Sequence, residues 1–116
     1  MWRTTGDIFE NWKSIKELSL KGLENARYGS INCFPDMDML VVGMHGKGHV
    51  AKEEVCTEND YKIHFALWCL FGVPLMIGGD IRNMDDDCHA LLTNKELIAI
   101  NQDPKGSQPF FANNFA

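Results

Sequence analysis

The sequence predicts an α/β fold built on parallel strands, and three observations carry that prediction. Short apolar or strand-tip stretches alternate with helical ones: residues 2–7 before a helix over 8 to about 20, residues 38–43 before one from about 58, and residues 75–79 before one over 86–93. Such alternation lays strands side by side with helices packed outside. Two of the strands are followed directly by a carboxylate, Asp7 and Asp80, at the rim where an α/β barrel gathers its functional groups. Third, 116 residues hold only three such units, whereas a closed (β/α)8 barrel takes roughly 250 residues. Three units alone would leave strand edges unpaired. The expected fold is therefore a fragment of a TIM (β/α)8 barrel.

The opening stretch, Trp2-Arg3-Thr4-Thr5-Gly6-Asp7, reads as the tip of a buried strand that presents Asp7 where the chain turns into a helix. A carboxylate four residues after an arginine suits acid–base work on a polar substrate. On these residues alone, a helix cap is the more ordinary role for Asp7. Ile8, Trp12, Ile15 and Leu18 then recur at helical spacing, with Gly22 as the expected stop. Residues 23–35 read as a connection with a short helical turn.

Residues 38–43 end in glycine and suit a buried parallel strand. The loop after it, Gly43-Met44-His45-Gly46-Lys47-Gly48-His49, lacks the Ser/Thr and the glycine spacing of a phosphate cradle. His45 and His49 have no further ligands at useful spacing, so no metal site is expected here. Thr57-Glu58-Asn59-Asp60 forms a capping box with Asp in the last place. The helix it opens is apolar around much of its circumference, with Tyr61, Phe65 and Trp68 forming a core stripe, and Pro74 is expected to stop it.

Residues 75–79 read as a third buried strand. Asp85-Asp86-Asp87 do not alternate as a calcium loop requires, and negative charge at the start of the helix over 86–93 is the simpler account. Residues 95–100 add a helical turn. The first 105 residues thus form the barrel portion. Residues 106–116, rich in Gly, Ser, Asn and aromatics, suit a linker or the start of a following β-domain.

Composition excludes some functions. Sixteen acidic against eleven basic residues, with no basic run, argue against a nucleic-acid partner. The longest apolar run, around residues 65–70, is far too short to span a membrane. No signal-peptide pattern is present in this chain, and localisation stays open between secreted and cytoplasmic. Cys33, Cys56, Cys69 and Cys88 contain no Cys-x-x-Cys pair, which removes zinc-ribbon and thioredoxin readings. Cys69 reads as a small core residue. Cys56 and Cys88 fall at helix starts, and a disulfide cannot be assigned from spacing.

Three ordered motifs resemble one enzyme family. Trp2 to Asp7 with Asn11-Trp12-Lys13-Ser14-Ile15, Asp36-Met37-Asp38-Met39-Leu40, and Ile98-Ala99-Ile100-Asn101-Gln102-Asp103-Pro104 resemble the α-galactosidase and α-N-acetylgalactosaminidase family of retaining glycoside hydrolases, the melibiase-like enzymes. The likeness runs from Trp2 to about Gly106. It departs from the family pattern at Phe34, Pro35 and Met37, where Trp, Asn and Pro are usual.

The resemblance implies a position from the end of strand 6 through helix 8 of the catalytic barrel. It implies Asp7 as the acid/base, Arg3 as a donor to a sugar hydroxyl, and Asp38 with Met39 as the active-site pair. Asp36 would have a structural role at least as readily as a binding one, and Trp2 a core role as readily as a sugar-facing one. The family's nucleophile belongs to a Lys-x-Asp motif at the fourth strand, which has no counterpart here. The implied reaction is double displacement on terminal α-D-galactosyl groups of an oligosaccharide or glycoconjugate, with neither metal nor organic cofactor. The implied partner is the remainder of the same barrel, without which the chain is expected to be inactive. The loop that separates galactose from N-acetylgalactosamine follows the family's fifth strand and is not in this sequence. Other readings are an α-N-acetylgalactosaminidase or another glycosidase of the family, a non-catalytic half-barrel that binds sugar or assembles with a complementary chain, and an inert relic of a truncated gene.

Overall fold

The structure, a computed structural model, describes residues 1–51, 54–110 and 112. Strand β1 (Trp2–Arg3) pairs in parallel with β2 (Pro35–Asp36), Trp2 opposite Pro35 and Arg3 opposite Asp36. Beyond β2, Leu40 bridges in parallel to Ile77: Gly78 donates its N–H to the Leu40 carbonyl at 2.9 Å, and Leu40 donates to Met76 at 2.8 Å. Three chain segments thus lie side by side in sequence order, all parallel, as the alternation predicts. The ladders are shorter than predicted. Asp38 has φ 75°, a left-handed conformation that interrupts the extended run between Asp36 and Leu40.

Helix α1 spans Trp12–Asn25, with Asn11 as its N-cap accepting from the Ser14 N–H. The predicted start at Ile8 and stop at Gly22 are both corrected. Residues 8–11 are held off the helix because the Ile8 N–H goes to Asp38 Oδ2 at 2.8 Å and the Phe9 N–H to Ser14 Oγ at 2.9 Å. Gly22 lies inside α1, where its bare Cα admits the fully buried Met37; an added Cβ would sit 2.5 Å from Met37 Sδ. A 3-10 turn, Ala26–Tyr28, completes the connection.

Helix α2 (Glu58–Phe71) starts at the predicted capping box, with Thr57 and Asp60 bonded reciprocally. Its stop is Gly72, left-handed at φ 67°, and not Pro74; glycine takes that conformation without steric cost. Tyr61, His64, Phe65 and Trp68 are buried along one face, and α2 packs against α1 and the two later helices. Three residues of this face bond the backbone around the second strand. Trp68 Nε1 donates to the Asp38 carbonyl at 2.9 Å, His64 Nε2 accepts the Val41 N–H at 3.1 Å, and the Tyr61 hydroxyl accepts the His45 N–H at 2.9 Å.

Helices α3 (Asp86–Leu92) and α4 (Lys95–Asn101) follow, capped by Asp85 and Asn94. Asn101 Nδ2 donates to the Val73 carbonyl at 2.8 Å and ties α4 to the end of α2. All four cysteines are free thiols, and Cys69 is fully buried. Gly106 and Gln108 pack on the 29–31 turn. Residues 111 and 113–116, part of the predicted linker, lie outside the described residues.

Candidate active site

The site grows from the register of β1 and β2. Neighbouring residues of a strand face opposite sides, so Arg3 and Asp36 share one side while Trp2 and Pro35 share the other, and the left-handed turn at Asp38 brings its carboxylate to the side of Arg3. On the first side Arg3 Nη2 lies 3.0 Å from Asp7 Oδ1 and 2.9 Å from Asp38 Oδ2. It also donates to the Gly6 carbonyl at 3.2 Å, which shapes the turn that carries Asp7. One guanidinium therefore joins two carboxylates from different strand ends.

The two carboxylates have different surroundings. Asp38 is largely enclosed: Oδ2 also accepts the Ile8 N–H, and Oδ1 accepts the Met39 N–H at 2.8 Å. Asp36 Oδ1 accepts the Asp38 N–H at 2.9 Å, so its side chain holds the left-handed turn in place. Asp7 has a side chain 86 % exposed, with Arg3 as its partner. A fixed, saturated carboxylate suits positioning. An open one suits proton exchange with a bound substrate.

Arg3, Asp7 and Asp38 are thus brought together, with Met39 following directly on Asp38. Met39 lies across Gly78 of the third strand, where an added Cβ would collide with its sulfur. Trp2 is not among them. Its ring meets Tyr28 edge-on at 6.2 Å, on the helix side of the sheet.

Behind the site a second carboxylate network fixes the loop after β2. Glu10 is fully buried and accepts the Gly46 N–H with both oxygens, at 2.7 and 3.1 Å, and the Tyr61 hydroxyl at 3.3 Å. Burial pushes the Tyr61 phenol and the Cys56 thiol up, the latter to about 12, and Glu10's charge adds to both shifts. At the third strand's end, Asp80 is taken up by Arg82 at 2.9 Å, and these hydrogen bonds hold its pKa down. Sequence reading passed over Glu10, because a Glu between Phe9 and Asn11 looks like ordinary helix surface. It also passed over the surroundings of His45, whose ring nitrogens reach Asp85 and Glu58.

These features, a parallel α/β rim with paired carboxylates around an arginine, define a piece of an α/β barrel. The family described as Alpha galactosidase A, of the melibiase type, matches residues 1–103, and the chain belongs to it. It is 45 % identical over 107 residues to alpha-galactosidase 2 of Arabidopsis thaliana and 42 % identical over 107 residues to the alpha-galactosidase of Cyamopsis tetragonoloba. Those alignments cover 92 % of this chain but only 25 % and 24 % of the relatives. The chain therefore spans about a quarter of the length of the curated relatives it matches. Among solved structures it superposes on a Bacteroides fragilis NCTC 9343 protein provisionally described as an alpha-galactosidase/melibiase, with TM-score 0.87 and 41 % identity over 92 % of this chain and 24 % of that one.

Proposed function

We propose that this chain forms the stretch from the end of strand 6 through helix 8 of a retaining α-galactosidase barrel, with Asp7 as its acid/base. The observation that carries the reading is the shared guanidinium: Arg3 Nη2 holds Asp7 and Asp38 together at two neighbouring strand ends. Residues 1–105 belong to the barrel, and those after them lead to a linker or a β-domain.

In this reading Asp7 protonates the glycosidic oxygen as the bond to the anomeric carbon breaks. Its carboxylate then removes a proton from the water that releases the sugar. A retaining enzyme needs a second carboxylate about 5 Å away as nucleophile. That group comes from the barrel strands that this chain does not span. Arg3 cannot serve as an acid, because a guanidinium stays protonated; it donates to a sugar hydroxyl and keeps Asp7 aimed. Asp38 accepts from another hydroxyl, and Met39 offers apolar surface to the C–H face of the ring. Trp2, on the helix side, supports the strand tip from behind. The remainder of the barrel is the natural cover for the third segment's free edge, where Met76 and Ile77 are 66 % and 46 % exposed.

Asp7→Asn in the intact barrel enzyme tests the assignment. Hydrolysis of aryl α-galactosides should fall roughly 100- to 10,000-fold, the usual share of a general acid–base group. The loss should be smallest for the best leaving groups. Azide, a nucleophile that needs no base, should restore turnover and give the α-galactosyl azide. Near-normal turnover by the variant would overturn the role of Asp7. The same panel with aryl N-acetyl-α-galactosaminides separates the second sugar. Galactose binding without hydrolysis by the intact protein would favour the non-catalytic reading.

A further inference from the structure

Outside the Arg3–Asp7–Asp38 site, one cluster gathers four metal-ligating side chains from three separate parts of the chain. His45 lies in the loop after the second strand segment, Glu58 in the first turn of α2, Asp85 at the N-cap of α3, and Cys88 one turn further. One ligand atom from each lies within 4.8 Å of all the others. His45 Nε2 is 2.8 Å from Asp85 Oδ1 and 3.8 Å from Cys88 Sγ, and His45 Nδ1 is 4.0 Å from Glu58 Oε1.

We propose that His45, Glu58, Asp85 and Cys88 form a zinc site that fastens the loop after the second strand to the starts of α2 and α3. The donor set selects the metal. Imidazole, thiolate and carboxylate together suit tetrahedral Zn2+, whereas calcium and magnesium take oxygen ligands. Four ligands fill the tetrahedron, which makes the site structural and leaves no position for a reacting water.

The surroundings hold the ligands in place. The His45 ring stands edge-on to Tyr61 at 5.3 Å, and its backbone N–H is held by the Tyr61 hydroxyl. His45 itself adopts φ 48°, a conformation uncommon outside glycine that persists only where its neighbours impose it. Asp85 spends Oδ2 on the Cys88 N–H at 3.2 Å, which leaves Oδ1 facing the imidazole. Cys88 is buried beneath the other three. One consideration opposes a cation here: the starts of two helices carry partial positive charge, worth a fraction of a kcal/mol to about 1 kcal/mol each. Three anionic ligands bonded directly to the ion outweigh that.

The test uses the purified intact protein, freed of metal by a chelator and titrated with Zn2+ by calorimetry. Uptake of one ion per chain is expected. Co2+ in its place should show the strong visible bands of a tetrahedral site and a near-ultraviolet thiolate-to-cobalt band. His45→Asn should weaken zinc binding by more than about 100-fold, the loss that an outer-shell partner alone can cause. Asn tolerates a left-handed backbone, so this variant keeps the loop. Cys88→Ser should abolish the thiolate band. His49→Asn and Cys33→Ser, which change an exposed imidazole and an exposed thiol elsewhere, should change neither. No stoichiometric uptake, an affinity that survives His45→Asn, or binding lost instead in the His49 or Cys33 variant would each overturn the site.

Discussion

Val41 donates its backbone N–H to Nε2 of His64 at 3.1 Å, in a place where the imidazole is completely buried. Because Nε2 accepts, the neutral ring carries its proton on Nδ1. That nitrogen has no hydrogen-bond partner among the described residues, and the ring stands edge-on to Trp68 at 4.2 Å. Burial lowers the His64 pKa from 6.5 to about 3.

The sign of the pH dependence follows. Unfolded His64 binds a proton near pH 6.5, whereas the folded ring resists one until about pH 3. Its contribution is therefore fully present above pH 6.5 and is lost as pH falls from 6.5 toward 3, by up to about 1.4 kcal/mol per pH unit. Urea melts at pH 7, 6 and 5 should show this slope, and His64→Gln should flatten it over the same window. An equal slope in both proteins would reject the assignment.

Arg3→Lys should damage catalysis more than folding. Nη2 of Arg3 meets Asp7, Asp38 and the Gly6 carbonyl at once, held there by the planar guanidinium, whereas a lysine puts its point charge on a flexible four-carbon stem that does not fix one nitrogen among all three. Loss of aim at Asp7, the proposed acid/base, costs on the order of 100-fold in kcat/KM. Steady-state kinetics of the intact enzyme, with the melting temperature as a fold control, measure it.

Glu10→Ala should destabilise the protein strongly. It strands the Gly46 N–H and removes a partner of the Tyr61 hydroxyl in a buried setting, at about 1–3 kcal/mol for each group left unsatisfied. Glu10→Gln keeps an acceptor and should cost less. Urea midpoints with an unchanged m-value separate the two.

Gly106→Ala should cost more than Gly72→Ala. Both glycines are left-handed, at φ 62° and φ 67°, and a side chain there costs about 1–2 kcal/mol. At Gly106 the new Cβ would also fall 2.6 Å from the Ile31 backbone nitrogen, whereas at Gly72 it meets only a Gln108 side-chain nitrogen at 3.4 Å. Thermal or urea unfolding of the two variants gives the order directly.

What was legible in the sequence was local. The Thr57–Asp60 box and the helical stripe of α2 marked that helix's start, and Arg3 and Asp7 stood out as a cation and a carboxylate four residues apart. Asp38 could not be placed by spacing alone. It reaches the same guanidinium because Arg3 lies opposite Asp36 in the ladder, a register set by packing across more than thirty residues. Its left-handed backbone was equally hidden, since no glycine marks it. Gly22 misled for the converse reason: a glycine that looks like a helix stop serves instead as the seat for Met37. The group around His45 was hidden by distance in sequence, because residues 45, 58, 85 and 88 share no motif.

Helix α2 has a consequence for how this region can change length. Tyr61, His64 and Trp68 each grip a different point of the backbone between Asp38 and His45. One residue inserted between Tyr61 and Trp68 would rotate part of that face by about 100° and break the grip as a set. Among the described residues 47–51 and 54–56, none bonds α2 in that way. Insertions and deletions should accumulate there, and the stretch from Tyr61 to Trp68 should keep a constant length.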